Sequence, residues 1–397
     1  MGTMADMTSR TAGRHFLQIP GPTNVPDRIL RAIDYPTIDH RGPEFAELAK
    51  DCLENLKPVF QTQNPVIVFP SSGTGGWEAA IVNTLSPGDR VLAFETGQFA
   101  TLWTRLAENL GLTVDFMPGD WRHGVDAAAA AATLAADRGH EIKAVMAVHN
   151  ETSTGITSNI AALRRALDDA KHPALLMVDA VSSLAAIDYR HDEWGVDVTV
   201  AGSQKGLMLP PGLGFNAVSG KALEAARTSR FPKGYWRWEE MLALNDKGFF
   251  PYTPATNLLY GLREALTMLR EEGLENVFAR HNRLAEAARC AVRAWELVIW
   301  AANRDEYSSS TTAVMLPEAN EAAFRAVVLH NFNMSLGAGL GKLAGKVFRI
   351  GHLGDFNDLM LSGTLAGIEM GLELAGVRHR KGGICAALDY LAETRKQ

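Results

Sequence analysis

Short runs of β-branched and aliphatic residues alternate with longer Ala- and Leu-rich segments from about residue 65 onward, and this alternation constrains the fold most. The runs VIVF, RVLAF, TVDFM, AVMAVH and ALLMVD are typical of buried strands, and VDVTVAG and GFNAVSG extend the series. The segments TGGWEAAIVNTL, TLWTRLAENLG, DAAAAAATLAAD and IAALRRALDDA are typical of helices. Apolar strands that alternate with helices predict an α/β fold, with a mostly parallel mixed sheet covered by helices on both faces.

The pattern changes in the second half of the chain. The stretch from Arg227 to Asn257 is irregular, aromatic and rich in Pro and Gly, so we expect an ordered connector or a subunit contact rather than a free linker. Two long helical patterns and a few shorter strand and helix patterns follow, which suggests a smaller α+β domain. We therefore predict a flexible N-terminal segment over 1–16, a large domain over 17–255 and a small C-terminal domain over 256–397.

Composition argues against several classes of protein. The net charge of −6 disfavours a nucleic acid or an anionic membrane as the main partner, because both favour a concentrated basic face. No apolar stretch approaches the roughly 20 residues that span a bilayer, and the N-terminus lacks the apolar core of a secretory signal. Cys52, Cys290 and Cys385 are far apart, so neither a metal site nor a disulfide framework is expected. This cysteine usage favours a cytoplasmic location.

Two stretches at predicted strand ends could bind the charged groups of a ligand, since open α/β sheets bind ligands at the carboxyl ends of their strands. SSGTGGWEAA joins a strand to a helix, and its backbone N–H groups, with the hydroxyls of Ser72 and Thr74, suit a phosphate. Asp179 ends the strand LLMVD and needs a partner such as a protonated heteroaromatic nitrogen. A tight turn and a helix-capping Asp are the alternative interpretations.

Two further stretches add an amine and hydroxyl groups at the same edge. Lys205 follows VDVTVAG in the segment SQKG, and HNETSTG follows AVMAVH with hydroxyls that include Thr152. Alone, Lys205 reads as a solvated loop residue and the hydroxyls as turn chemistry, and His149 reads as structural. Together, however, the four stretches supply an amine, a carboxylate, a phosphate site and hydroxyl donors. This set predicts a site for pyridoxal 5′-phosphate (PLP).

The order of the motifs resembles a known family. PGPTNVP, SSGTGGWEAA, HNETSTG, VDAVSS, SQKG and KVFRIG occur in the order seen in class V, fold-type I PLP-dependent aminotransferases, over about Leu17 to about Leu374. The resemblance is strongest to the serine–glyoxylate and alanine–glyoxylate group. It implies the type I fold, with a large PLP-binding domain and a smaller C-terminal α+β domain.

The resemblance also implies roles for individual residues. Lys205 is implied to bind the cofactor aldehyde, Asp179 to pair with the pyridine nitrogen, and Arg349 to bind the substrate carboxylate. The other cofactor-binding residues that it implies are Ser72, Gly73, Thr74 and Gln204 at the phosphate, Phe99 and Val181 on the ring faces, Thr152 at the phenolic oxygen, and Tyr252 and Thr253 at the phosphate of a neighbouring subunit. Relatives often have Trp or Tyr at the position of Phe99.

The expected reaction is L-serine plus glyoxylate giving 3-hydroxypyruvate plus glycine, catalysed by a homodimer or a dimer of dimers. Alanine–glyoxylate and serine–pyruvate exchange are close alternatives. A cysteine desulfurase-like lyase would need a cysteine in a matching motif, which the chain lacks, and a non-enzymatic scaffold would have no need of Lys205, Asp179 and Arg349 together. A nicotinamide dehydrogenase is disfavoured because the first strand-to-helix turn lacks GxGxxG.

Overall fold

The computed structural model describes residues 12–316 and 320–395, so most of the predicted N-terminal segment lies outside the described residues. The strands are β1 (Phe16–Gln18), β2 (Val66–Ser71), β3 (Arg90–Phe94), β4 (Thr113–Met117), β5 (Ile142–Val148), β6 (Asn150–Glu151), β7 (Ile156–Thr157), β8 (Leu175–Asp179), β9 (Val198–Gly202), β10 (Gly212–Val218), β11 (Val298–Ile299), β12 (Thr311–Met315), β13 (Met334–Ala338) and β14 (Val347–Gly351).

The helices are α1 (Asp27–Ile33), α2 (Pro43–Phe60), α3 (Gly73–Thr84), α4 (Gln98–Asn109), α5 (Ala127–Ala136), α6 (Ile160–Asp169), α7 (Gly220–Thr228), α8 (Trp238–Asn245), α9 (Thr256–Glu272), α10 (Leu274–Ala294), α11 (Glu321–Phe332), α12 (Asp358–Leu374) and α13 (Gly383–Glu393), with short 3-10 helices at Arg304–Glu306 and Gly341–Leu343. Within the described ranges, no helix is both long enough and apolar enough to cross a membrane.

The larger sheet has seven strands in the order β2-β10-β9-β8-β5-β3-β4. The strands β9, β8, β5, β3 and β4 are parallel to one another, and β10 is antiparallel to both β9 and β2. The short connection 203–211 explains the reversal at β10, because a parallel crossover needs about a dozen residues or more. The predicted mostly parallel mixed sheet is therefore confirmed.

Helices cover both faces of this sheet, and successive strand residues enter opposite cores. In β8, Leu176 packs in the core that contains residues of α2, α5, α6 and α9, whereas Leu175 and Met177 pack in the core that contains residues of α3 and α4. All of β8 and β9 is buried. Two-sided burial explains why these strands are apolar along their whole length.

The smaller sheet has the order β1-β13-β14-β12-β11, with β14 antiparallel to β12 and β13. Residues of α10, α11, α12 and α13 form its core. Strand β1, the first strand among the described residues, belongs to this sheet, since it pairs in parallel with β13. Helix α9 packs on α1 and α2, next to the larger sheet. The predicted division at 255/256 stays a prediction.

The stretch 227–257 is ordered, and it contains helix α8, which the sequence pattern did not predict. Its aromatic side chains stack on one another: the rings of Tyr235 and Tyr252 are 4.3 Å apart and nearly parallel. The Tyr235 hydroxyl donates to the carbonyl of Pro70, at the end of β2. The stretch is therefore a packed connector beside the larger sheet.

Candidate active site

A cavity of about 260 Å³ lies where β5, β8 and β9 end. Most of the predicted site residues line it: Ser72, Gly73, Thr74, Phe99, Thr152, Asp179, Val181, Gln204 and Lys205. These residues come from five separate segments of the chain, which the strand order brings to one edge of the sheet.

Asp179 is the buried acid of the cavity, with 4% of its surface exposed. Val181 N donates to its Oδ1 over 2.7 Å, and Trp77 Nε1 donates to its Oδ2 over 3.0 Å. Burial raises the pKa of Asp179 to about 7, and the nearby charge of Glu151 acts in the same direction. A cationic ligand group beside Asp179 would favour the ionised carboxylate.

Lys205 is the amine of the cavity. Its Nζ donates to the carbonyl of Pro20 over 2.6 Å. A Cβ atom added to Gly21 would lie 2.5 Å from Nζ, so a side chain at position 21 would occupy the space of the amine. Loss of solvation, together with the nearby charge of Arg349, lowers the pKa of Lys205 to about 8. The amine can therefore be neutral near physiological pH.

The start of α3 presents backbone N–H groups to the same cavity. Ser72 is the N-cap residue but makes no side-chain capping bond, and both Ser72 and Thr74 are exposed. A Cβ atom at Gly73 would lie 2.6 Å from Val181 Cγ2, so only glycine lets the helix start this close. Gln204 Oε1 is buried and has no hydrogen-bond partner among the described residues. The N–H groups of this turn can hold a phosphate, and the Gln204 amide can contribute through its NH₂ group.

Apolar and hydroxyl groups complete the cavity wall. Phe99, in the first turn of α4, and Val181, two residues after β8, are both half-buried. Thr152 lies in the turn between β6 and β7 and is 2% exposed. A planar ring with a polar substituent fits this combination of two apolar surfaces and a hydroxyl.

Arg349 reaches this region from β14 of the smaller sheet, but it does not line the cavity itself. Its Nε donates to the Ala338 carbonyl over 2.7 Å, and its Nη1 donates to the Thr152 carbonyl over 2.9 Å. Burial lowers the pKa of Arg349 to about 10, which leaves it charged at neutral pH. The guanidinium thus lies directly behind the Thr152 turn.

Tyr252 and Thr253 are not brought to the cavity of their own chain. Tyr252 stacks on Tyr235, and Thr253 is exposed. His149 also stays outside the cavity: it is buried, and its ring lies 5.2 Å from that of Tyr189 and 5.5 Å from that of Trp194. Its surroundings are those of a packed core residue.

Sequence reasoning assigned no site role to five residues that line the cavity: Gly21, Trp77, Leu102, Asn150 and Ser182. Trp77 bonds Asp179 and stacks on Trp103 at 5.8 Å, and Gly21 lies against the Lys205 amine. Trp77 is in the quoted stretch SSGTGGWEAA, one helical turn after Gly73, so its position on the inner face of α3 was a usable signal. Gly21 gave no comparable signal, because only the tertiary fold brings PGPTNVP to Lys205.

Comparison with known proteins places these features in context. The family model of the class-V aminotransferases matches residues 15–341 of the chain. The serine–glyoxylate aminotransferase of Methylorubrum extorquens is 50% identical over 395 residues, which is 97% of this chain and 98% of the relative. The L-aspartate–glyoxylate aminotransferase of Paracoccus denitrificans is 48% identical over 379 residues, or 95% of this chain and 96% of the relative.

The solved structures include similar folds. The crystal structure of the ureidoglycine–glyoxylate aminotransferase from Bacillus subtilis has a TM-score of 0.89 at 26% identity. The similarity covers 96% of this chain and 99% of that chain. The likeness in fold therefore extends over nearly the whole of both chains.

Proposed function

Because the chain belongs to the class-V aminotransferase family, we propose that it transfers the amino group of L-serine to glyoxylate, giving 3-hydroxypyruvate and glycine. The observation that carries this proposal is the 50% identity, over nearly the whole chain, to a serine–glyoxylate aminotransferase. A second candidate donor is L-aspartate, because the aspartate–glyoxylate relative is almost equally similar, at 48% identity.

The cofactor of this enzyme is pyridoxal 5′-phosphate, and the cavity fits it. The first turn of α3 has no side-chain cap, so its N–H groups can donate to a phosphate. The Gln204 side chain, whose Oε1 has no partner among the described residues, can turn its amide NH₂ toward the same phosphate. Asp179 would hold the ring nitrogen, Lys205 the aldehyde carbon, and Phe99 and Val181 the two ring faces. When bound, PLP withdraws electrons from Cα of an amino acid and accepts its amino group.

The residues of the chain supply binding and proton transfer. The Lys205 amine can take a proton from the substrate Cα and return it to the cofactor side, because its lowered pKa lets it exchange protons near neutral pH. Asp179, when ionised, keeps a proton on the ring nitrogen. Arg349 can bind the α-carboxylate, since its planar fork matches two oxygens.

The charges around the cavity favour a small donor such as serine. Lys205 is the only cationic side chain among the described residues that line the cavity, and Arg349 lies behind it. A dicarboxylic donor such as aspartate needs a second cationic partner for its distal carboxylate. The cationic groups at this cavity therefore suit a small amino donor that has one carboxylate.

We propose further that the active unit is a cytoplasmic homodimer in which Tyr252 and Thr253 reach the phosphate site of the neighbouring subunit. The exposure of Thr253 supports this, as does the position of both residues outside the cavity of their own chain.

A panel of amino donors tests the substrates. We expect kcat/KM with glyoxylate to be highest for L-serine, followed by L-alanine and L-aspartate, with keto-acid formation as the readout. Lys205→Ala should lower kcat by more than about 10³-fold, since general acid–base catalysis alone contributes about 10²–10⁴-fold. Lys50→Ala, at an exposed position of α2, is the matched control and should behave as wild type. A faster rate with L-aspartate would select the second candidate, and an active Lys205→Ala variant would refute the site.

A further inference from the structure

Glu151 is a fully buried carboxylate beside the active site, and the mechanism above does not use it. It is 0% exposed and ends the short strand β6, one residue before Thr152. It does not line the cavity. Burying a carboxylate without partners is costly, so the surroundings of Glu151 need to compensate its charge.

Four hydrogen bonds converge on its two oxygens. Phe99 N and Ala100 N donate to Oε2 over 3.0 and 3.1 Å, and Ser153 N and Ser153 Oγ donate to Oε1 over 3.1 and 2.6 Å. Ser153 Oγ in turn accepts from Gln98 N over 2.9 Å. All four partners are donors, as an ionised carboxylate requires. Burial raises the pKa of Glu151, and these hydrogen bonds act in the opposite direction.

These bonds tie together two loops that carry predicted cofactor contacts. The first turn of α4, which contains Phe99, is capped by Glu151 instead of by a residue of its own loop, because Gly97 makes no side-chain cap. A Cβ atom at Gly97 would lie 2.4 Å from Glu151 Cγ, so the loop is shaped around this side chain. Thr152 lies between the two residues that make the contacts, Glu151 and Ser153.

Glu151 also contributes negative charge near Arg349. Glu321 acts on the guanidinium in the same direction as Glu151, and Arg325 acts against both. The charge of Glu151 raises the pKa of Arg349 against the effect of burial, and it also raises the pKa of Asp179. Arg349 bonds the carbonyl of Thr152, directly next to Glu151 in the chain.

We propose that Glu151 is a positioning residue for the amino-transfer reaction: it holds Phe99 and Thr152 at the cofactor ring and places a negative charge next to the Thr152 carbonyl that Arg349 bonds. This inference rests on the proposed function, but two of its tests below need no substrate. It assigns two separable effects to one side chain: the hydrogen bonds order the ring contacts, and the charge acts on carboxylate binding.

Two variants separate these effects. Glu151→Gln removes the charge and leaves Ser153 N or the α4 N–H groups facing an amide NH₂, whereas Ser153→Ala keeps the charge and removes one hydroxyl. Asp126→Ala is the matched control, because Asp126 caps α5 through two backbone N–H groups outside the cavity. For each protein we would measure the PLP dissociation constant by titrating the apo-protein, the visible circular dichroism of bound PLP, and KM for L-serine and glyoxylate.

Both variants should raise the PLP dissociation constant and reduce the visible circular dichroism. In Glu151→Gln the dissociation constant should rise roughly tenfold, because hydrogen bonds to a charged group are among the stronger ones. Only Glu151→Gln should raise KM for both substrates, with a smaller change in kcat. If both variants match Asp126→Ala, with a lower unfolding temperature alone, Glu151 is merely structural and the proposal is wrong. A wild-type protein that binds PLP but does not use serine would refute the proposed function, while the cofactor readouts would still decide the role of Glu151.

Discussion

The protonation state of one amine, Lys205 Nζ, controls how the chain can receive its cofactor. The amine lies in a half-buried position against Gly21 and Pro20, and desolvation lowers its pKa from 10.5 to about 8. The nearby negative charge of Asp179 acts in the opposite direction. Because only the neutral amine is a nucleophile, this environment decides the pH at which PLP can be captured.

The rate of PLP capture by the apo-protein should therefore rise with pH and reach half of its maximum near pH 8. A free lysine derivative, the reference amine, should require a pH near 10.4. Asp179→Asn should move the midpoint of the protein to lower pH, because it removes a charge that favours the ammonium. Stopped-flow absorbance of the cofactor measures both rates. A midpoint above pH 10 in the wild-type protein would contradict the assignment of Lys205.

At the scale of elements, the start of α3 determines where a phosphate can bind. The helix begins one residue after the N-cap Ser72, and two glycines on its inner side let it approach the sheet: a Cβ at Gly73 would lie 2.6 Å from Val181, and one at Gly76 would lie 2.8 Å from Val200. The free N–H groups of the first turn thus point at the cavity from a fixed position.

Gly73→Ala should displace the first turn of α3 and weaken PLP binding. Overpacking of this kind costs about 1–3 kcal/mol, which exceeds the gain of about 0.5–1 kcal/mol expected when Ala replaces Gly in a helix. Gly220→Ala is the matched control, because Gly220 is also the first residue of its helix and a Cβ there meets no atom within 4 Å. PLP titration and thermal unfolding of both variants would test this. Unchanged PLP affinity in Gly73→Ala would contradict the proposed phosphate site.

At the scale of the whole molecule, buried histidines link stability to pH. Burial lowers the pKa of four histidines: His149, His281 and His352 to about 3, and His191 to about 4. In the unfolded chain these rings titrate near 6.5, so below that pH the unfolded state binds more protons than the folded state. Asp179 and Glu151 act in the opposite direction, because their pKa values are raised in the folded state.

The free energy of unfolding should therefore fall as the pH is lowered from about 6.5 to about 4, since four histidines oppose two carboxylates. Urea unfolding of the apo-protein at a series of pH values measures it. His281→Gln should reduce the slope, whereas His330→Gln, at an exposed position of α11, should leave it unchanged. A stability that rises on acidification over this range would show that the carboxylates dominate.

The local sequence pattern was sufficient to predict the strands of the larger sheet and the helices between them. The apolar strands and the helices between them were predicted from the sequence because two-sided burial leaves a continuous apolar signature. The quoted stretches at the ends of β5, β8 and β9 were also predicted, since open sheets bind ligands at strand ends. The antiparallel direction of β10 and helix α8 were not, because neither leaves a distinct pattern in composition.

The sequence by itself determined which residues could serve chemistry, namely Lys205, Asp179 and the glycine-rich turn at Gly73, because their types and their places after strands are local properties. Only the tertiary structure decided what surrounds them: Gly21 against the amine, Trp77 on Asp179, and Glu151 under the first turn of α4. These contacts join residues that lie far apart in the chain, and desolvation, which sets their charges, depends on the packing of the complete fold.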